Sequence, residues 1–385
     1  MYLFNPDNDL ALANFSANYT PPASAALMAA ELALLPVWYS DGAPVVAVGE
    51  QHQLYLEVVR QSLPITSTLV SYNEISKHTH QPIIPWGWNP ALRKRLLSCG
   101  VQEERLPSPA ELQLLRDYSG RQHAVSMLSE LQRDDPAFYG ESLYFTSLDQ
   151  LLAYLSSFTG DKLLKMPLSG SGKGLTRIMG PITDKQTDWC RRVIREQGGV
   201  VAEPVLNKVA DFAMEFYLNQ GDCHFTGYSL FRSAKSGAYR GNELLSDRNI
   251  VEKLSALVPV DRLHRLRETL LQKLSTFFPF YTGYAGVDMM ICDTDMGYRI
   301  QPCVEINMRM NMGMVARHFH DQFMENDGQG RFVVDYFNKP GNGLLFHRKM
   351  EEQHPRKMVQ GRIISGYLSL TPITETTRYA AYVIV

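Results

Sequence analysis

The stretch Leu163 to Met179 constrains the chain more than any other. A short apolar run leads into Pro167-Leu168-Ser169-Gly170-Ser171-Gly172-Lys173-Gly174, and a run with β-branched residues, Leu175 to Met179, leads out. Glycines at alternate positions expose backbone N–H groups to an approaching anion, and Lys165 and Lys173 add positive charge on either side. Taken alone, the same composition also suits a solvated hairpin loop. A P-loop needs Gly five residues before the Gly-Lys pair and Ser or Thr after it, but Pro167 and Gly174 stand there. A dinucleotide fingerprint needs a helix at the loop, whereas Thr176 to Met179 reads as a strand stopped by Gly180-Pro181. The unit is therefore strand, glycine loop, strand. A helix follows from Asp184 to Glu196, with Thr183 as its N-cap.

A second stretch carries complementary chemistry. Gly286-Val287-Asp288 and Glu305-Ile306-Asn307-Met308-Arg309 lie on two strands joined by the turn Asp293 to Gly297. Strand alternation puts Glu305 and Asn307 on one face, and antiparallel pairing brings Asp288 alongside. Two carboxylates and an amide oxygen form a hard-oxygen set suited to Mg²⁺ that bridges phosphates. An exposed polar face with Arg309 as salt-bridge partner is the other reading, disfavoured by the apolar residues around these positions.

The first 110 residues alternate short strands with helices. Strands are expected at Tyr2-Leu3-Phe4, Val45 to Val48 and Pro82-Ile83-Ile84, and helices at Ala23 to Leu35, His52 to Gln61 and Pro90 to Ser98. That spacing implies a parallel, Rossmann-like sheet. Two polar loops follow its strands, Asn5-Pro6-Asp7-Asn8-Asp9 and Trp86-Gly87-Trp88-Asn89. Past Pro107-Ser108-Pro109 come a helical stretch interrupted at Ser119-Gly120 and a short helix from Ser147 to Ser156. Farther on, Gly199 to Leu206 reads as a buried strand, Asp211 to Leu218 and Cys223 to Phe231 as a hairpin, Arg232 to Asn242 as a loop, and Ile250 to Phe277 as helix broken at Pro259. Ile363 to Leu370 and Tyr379 to Val385 read as a terminal β-hairpin, and the His78/His80 and His318/His320 pairs as solvated or capping histidines.

With 385 residues, the chain can build two or three domains with ample core. Its net charge of −2 gives no reason to expect nucleic acid or an anionic membrane as partner. Five scattered cysteines with no C-x-x-C, no basic-apolar leader at the N-terminus and no long apolar run point to a reducing cytoplasm.

Taken in order, these motifs resemble the ATP-grasp superfamily over about residues 110–325: Lys165-x-Pro167 with Ser169 to Gly174, Glu203 at a strand end, Asp211, Gly286-Val287-Asp288, and Glu305-Ile306-Asn307-x-Arg309. The resemblance implies a mixed α/β and α+β chain, a Rossmann-like N-terminal domain followed by a two-subdomain ATP-grasp fold. Its units would be a pre-ATP-grasp domain at 1–108, a small subdomain with the glycine loop at 109–205, a large subdomain with the metal site at 206–340 and a C-terminal extension at 341–385. It further implies ATP and Mg²⁺, or Mn²⁺ in its place, as cofactors. Lys165 and Ser169, Gly170, Ser171, Gly172, Lys173 and Gly174 would hold the phosphates. Glu203 and the backbone of Val205 and Leu206 would receive adenine, and Asp211 the ribose. Asp288, Glu305 and Asn307 would ligate the metal, with Arg309 and Lys165 catalytic.

Met308 departs from the family's usual Pro, and Arg121 stands near the place of a further phosphate-binding Lys. Arg232, Lys235 and Arg240 are candidates for extra contacts. The implied activity is ATP-dependent ligation of a small-molecule carboxylate to an amine or other nucleophile. A small-molecule kinase or a non-catalytic nucleotide binder are alternatives, and a homodimer is compatible with the pattern.

Overall fold

The computed structural model describes residues 1–157, 159–170, 174–234 and 239–385. Its first unit is a four-stranded parallel sheet of order β3-β2-β1-β4. The elements run β1 (Tyr2–Leu3), α1 (Asn8–Asn14), α2 (Ala23–Glu31), β2 (Val45–Val46), α3 (Glu50–Arg60), β3 (Leu69–Val70), β4 (Ile84–Pro85) and α4 (Pro90–Ser98). Asn89 caps α4, its side chain accepting from the Leu92 N–H at 2.9 Å, with Pro90 at the first helical position. The helix expected to reach Leu35 ends at Glu31 instead. Pro36 accounts for this, since its ring would clash with the carbonyl four residues back, at Leu32.

The second unit holds α5 (Pro109–Tyr118), α6 (Gln122–Asp134), β5 (Leu143–Phe145), α7 (Leu148–Ser157), β6 (Lys162–Lys165), β7 (Leu175–Ile178), α8 (Asp184–Gln197) and β8 (Val200–Pro204). Its antiparallel sheet has the order β5-β8-β6-β7. β6 and β7 are the strands on either side of the glycine loop, paired from Lys162↔Ile178 to Lys165↔Leu175. Thr183 caps α8 in a capping box with Gln186, and Gly198 ends it in the left-handed conformation.

The third sheet has eight strands, β13-β12-β9-β10-β11-β14-β18-β17. Its elements are β9 (Lys208–Asn219), β10 (Asp222–Ser233), β11 (Tyr239–Leu244), α9 (Asp247–Ser255), α10 (Val260–Phe277), β12 (Thr282–Thr294), β13 (Gly297–Asn307), α11 (Met312–Phe323), β14 (Gly330–Tyr336), α12 (Asn342–Gln353), β15 (Lys357–Val359), β16 (Arg362–Ser365), β17 (Tyr367–Ser369) and β18 (Tyr379–Ile384). β9 and β10 meet in a two-residue turn at Gln220-Gly221, where both residues take positive φ, as a tight hairpin requires. Much of the expected loop 232–242 is strand: β10 runs to Ser233 and β11 begins at Tyr239, paired to β10 and β14. The terminal hairpin forms as β17 and β18, and β18 pairs with β14, so the chain's end belongs to the large sheet.

Alternation along these strands separates two faces. Phe212, Met214 and Phe216 of β9, with Val287, Met289 and Ile291 of β12, are fully buried against α6 and α10. The intervening residues, Asp211, Ala213, Glu215, Asp288, Glu305 and Asn307, share the opposite face. Among the described residues, no helix is long and apolar enough to cross a membrane.

Candidate functional site

On the polar face, Asp288 pairs with Glu305 and Gly286 with Asn307 in strand register. The Asn307 amide donates to Asp288 Oδ2 at 3.1 Å. Burial, followed by the nearby Glu305 charge, raises the Asp288 carboxyl to about 7. Two carboxylates held this close repel each other, and a hard divalent cation would relieve the strain. Asp288 and Glu305 face each other here in strand register. Among the described residues, no group of three or more His, Cys, Asp or Glu is placed to hold a metal. Two carboxylates still suit Mg²⁺, which commonly takes one or two and completes its shell with waters and phosphate oxygens.

Arg121, at the start of α6, joins the two halves of the site. Its Nη1 donates to the Met166 carbonyl at 2.6 Å and to Ser169 Oγ at 2.8 Å, and its Nη2 to Glu305 Oε1 at 2.7 Å. Its buried Nε has no partner among the described residues. The last residue of β6, Lys165, pairs with Glu203 of β8 at 2.6 Å, both largely buried. Glu203 also accepts from Ser142 Oγ at 2.9 Å. At the base of the glycine loop, Met166 N–H donates to the Gly174 carbonyl at 2.9 Å. Gly174 has φ 78°, and a Cβ there would meet the Ser169 side chain at 2.7 Å, so glycine is required. Ser171, Gly172 and Lys173 of the loop, and Lys235, lie outside the described residues.

Val205 N–H is bonded to the Asp161 carbonyl at 3.0 Å, whereas Leu206 N–H donates to no backbone carbonyl among the described residues. Asp211 accepts from Lys208 Nζ and Ser233 Oγ. Arg232 pairs with Glu243 at 2.9 Å, so it is committed within the sheet rather than to this cluster. A cavity of about 540 Å³ beside α6 takes in Ser142 but none of Lys165, Asp288, Glu305 or Arg309, so it does not mark the charged cluster.

Arg309 follows β13. Its guanidinium grips Asp9 with two bonds, Nε to Oδ1 and Nη2 to Oδ2, each 2.7 Å. Asp9 lies in the first turn of α1, on the polar loop after β1. Nearby, Met310 N–H donates to the Trp86 carbonyl at 3.1 Å, tying the same segment to the loop after β4.

Two further acids bear on the site. The sequence gives Glu215 no role beyond its place in the Asp211 to Leu218 strand and Asp9 none beyond its loop. Glu215 is 1% exposed and accepts from Asn311 at 2.7 Å. Burial above all raises its carboxyl to about 8, against the Asn311 hydrogen bond. His320, expected to be solvated or capping, is instead buried, with its ring nitrogens at 3.1 Å from Asp321 and 3.3 Å from the Gly328 carbonyl. Two positions apart on a helix, the two histidines point to different sides of α11, and His318 lies 3.4 Å from Tyr284 Oη.

The whole arrangement is similar to solved structures. One is a biotin carboxylase–β,γ-ATP complex from Campylobacter jejuni, with a TM-score of 0.52 and 11% identity, covering 100% of this chain and 86% of that one. This is an ATP-grasp fold. The biotin carboxylase domain of a Hydrogenobacter thermophilus 2-oxoglutarate carboxylase, solved with MgADP, ADP and bicarbonate, has a TM-score of 0.51 and 8% identity, covering 92% and 83%. An N5-carboxyaminoimidazole ribonucleotide synthetase from Thermus thermophilus has a TM-score of 0.50 and 10% identity, covering 100% and 93%. Neither a protein-family model nor a curated protein matches the sequence. At these identities the ATP-grasp likeness concerns the backbone alone.

Proposed function

We propose that the chain is an ATP- and Mg²⁺-dependent ligase, cytoplasmic, joining a small-molecule carboxylate to an amine through an acylphosphate and releasing ADP and phosphate. The observation that carries the reading is Arg121, which bonds both the start of the glycine loop and Glu305 of the acidic pair. Phosphate-binding backbone and the hard-oxygen set therefore stand within one side chain's reach. The solved ATP-grasp neighbours with bound ATP analogue or MgADP support nucleotide as the ligand.

Under this reading, residues 1–108, 109–205, 206–340 and 341–385 form the pre-ATP-grasp domain, the two ATP-grasp subdomains and a C-terminal extension. Lys165, Arg121 and the loop from Ser169 to Gly174 bind the phosphates. Glu203 and the backbone of Val205 and Leu206 meet adenine, and Asp211 meets the ribose. Asp288, Glu305 and Asn307 hold Mg²⁺, or Mn²⁺, which when bound neutralises charge on the moving phosphoryl group. Arg309 steadies the substrate carboxylate and then the acylphosphate. An oxygen of that carboxylate attacks the γ-phosphorus, and the bond to the bridging β–γ oxygen breaks as ADP leaves. The amine nitrogen next attacks the acyl carbon, expels phosphate and loses a proton. No protein nucleophile is needed, so positioning and electrostatics supply the catalysis.

The test is a screen for ADP release with panels of carboxylates and amines, amino acids and dipeptides among them. Phosphate and ADP release that requires both a carboxylate and an amine supports the ligase. ADP release with a hydroxyl acceptor and no free phosphate identifies a kinase instead.

A further inference from the structure

We infer that Asp9 is a built-in stand-in for the substrate anion: in the free protein it occupies the anion position on Arg309, and a carboxylate or phosphoryl group must displace it. This rests on the reading of Arg309 given above and adds how the site is closed before substrate arrives.

Three observations carry it. The first is the fork. Asp9 takes Nε and Nη2 of Arg309 at 2.7 Å each, the bidentate geometry that an incoming carboxylate or phosphate uses. Nη1 turns to the Met310 carbonyl at 3.1 Å. The side edge of the guanidinium is thus taken, and one nitrogen of its end edge is engaged, so an anion gains the best geometry only by exchange.

The second is place. Gly170, at the start of the glycine loop, backs onto Asp9: a Cβ on Gly170 would lie 3.1 Å from Oδ2 and 3.4 Å from the Asp9 Cβ. The Asp9 carboxylate therefore lies between Gly170 and Arg309, which on the proposed reading is where a group passing from nucleotide to acceptor sits.

The third is origin. Asp9 comes from the first unit of the fold, 300 residues from its partner. Its loop is anchored separately, by Asn5 Nδ2 donating to the Gly87 carbonyl at 2.8 Å and by the Asn8 side-chain amide donating to the carbonyls of Gly87 at 3.0 Å and Trp88 at 3.2 Å. The loop holds its shape without the Arg309 pair, so Asp9 can let go without unravelling α1.

The test is calorimetric titration of the full chain with β,γ-methylene-ATP and MgCl2. If about nine molecules in ten are closed by Asp9, freeing Arg309 tightens apparent binding about tenfold. We expect that gain for Asp9→Asn. Asp7→Asn, which removes the same charge two residues away, should show none. The gain should also vanish when Asp9→Asn is combined with Arg309→Ala. Equal or weaker binding by Asp9→Asn overturns the inference, because Asp9 would then orient Arg309 rather than block it. So does an equal gain from Asp7→Asn, or one that survives the loss of Arg309. Should Asp9→Asn fail to melt cooperatively, Asp9→Ser serves in its place. Lys165→Ala separates the layers: affinity equal to wild type in that variant removes the nucleotide site itself, whereas a normal loss there with no gain from Asp9→Asn removes only the stand-in.

Discussion

Replacing Arg121 with alanine tests whether one side chain holds the site together. The change deletes three hydrogen bonds, to Met166, Ser169 and Glu305. Hydrogen bonds involving a charged group contribute about 1.5–3 kcal/mol each, and stripping one partner from a fully buried ion pair costs about 3–5 kcal/mol. The Arg121 side chain is 8% exposed but that of Glu305 is 29% exposed. Water therefore re-solvates part of the orphaned carboxylate, and the three bonds do not add. A net loss of about 2–4 kcal/mol follows. At roughly 2.1 cal/mol/K per residue of unfolding entropy, the melting temperature should drop by about 3–9 °C, depending on how much of the chain melts together.

Thermal melting followed by circular dichroism measures this, with a double-mutant cycle against Glu305→Gln. The cycle should give a coupling of about 0.5–2 kcal/mol, as expected for residues in direct contact. A melting temperature within about 1 °C of wild type, or a coupling indistinguishable from zero, would refute the claim that Arg121 clamps loop to strand.

Three other outcomes follow. Lys165→Ala should weaken Mg-ATP binding strongly by calorimetry, since it removes the cation proposed to contact the phosphates and leaves Glu203 without its partner. Glu305→Gln should leave nucleotide binding largely intact but lower ADP release by orders of magnitude once substrates are known, because it removes one of the two carboxylates proposed to hold the metal. The pH dependence of stability has a definite sign. Asp288 and Glu215 are raised to about 7 and about 8 in the folded state, so between pH ~4 and those values the native state binds more protons than the unfolded one and stability falls as pH rises. Asp288→Asn should flatten the part of a melting-temperature profile below about pH 7, and an unchanged slope would show that Asp288 does not titrate there.

What was legible in the sequence is what local rules control. The polar and apolar residues of 282–307 alternate because a strand with one face in the core and one in a cleft has no other pattern available. The helix after Thr183 announced itself through its cap, and Pro90 to Ser98 through Asn89 and Pro90. Composition misled at Arg232 to Asn242, where Ser, Gly, Lys and Arg suggested a loop. Tyr239 to Leu244 becomes a strand because β10 and β14 offer it partners on both sides, a tertiary effect that outweighs weak propensity. α12 escaped notice because its apolar stripe is short: only Gly343 and Met350 of its twelve residues are buried, with Phe346 packed beside Met350. Arg121 and Asp9 were harder still. Their partners lie 184 and 300 positions away, and nothing local encodes a pairing at that distance.

Three described cations of the cluster are matched to acids of the same chain: Lys165 to Glu203, Arg121 to Glu305, and Arg309 to Asp9. On the proposed reading, a site that receives several phosphate charges has to keep its cations somewhere before the ligand comes. Left alone, each would carry a desolvation cost of several kcal/mol. Internal carboxylates remove that cost and hold the cations near their working positions, but they make nucleotide binding an exchange of anions. The acids then need somewhere to go. On that reading Glu305 turns from Arg121 toward a divalent metal beside Asp288, which also offsets the Glu305 charge that, after burial, raises the Asp288 carboxyl. Metal and nucleotide should therefore bind together, each easing the other's entry, with the coupling equal in both directions. A titration in which Mg²⁺ leaves affinity for the nucleotide unchanged would break that linkage, and with it the account of why these pairs exist.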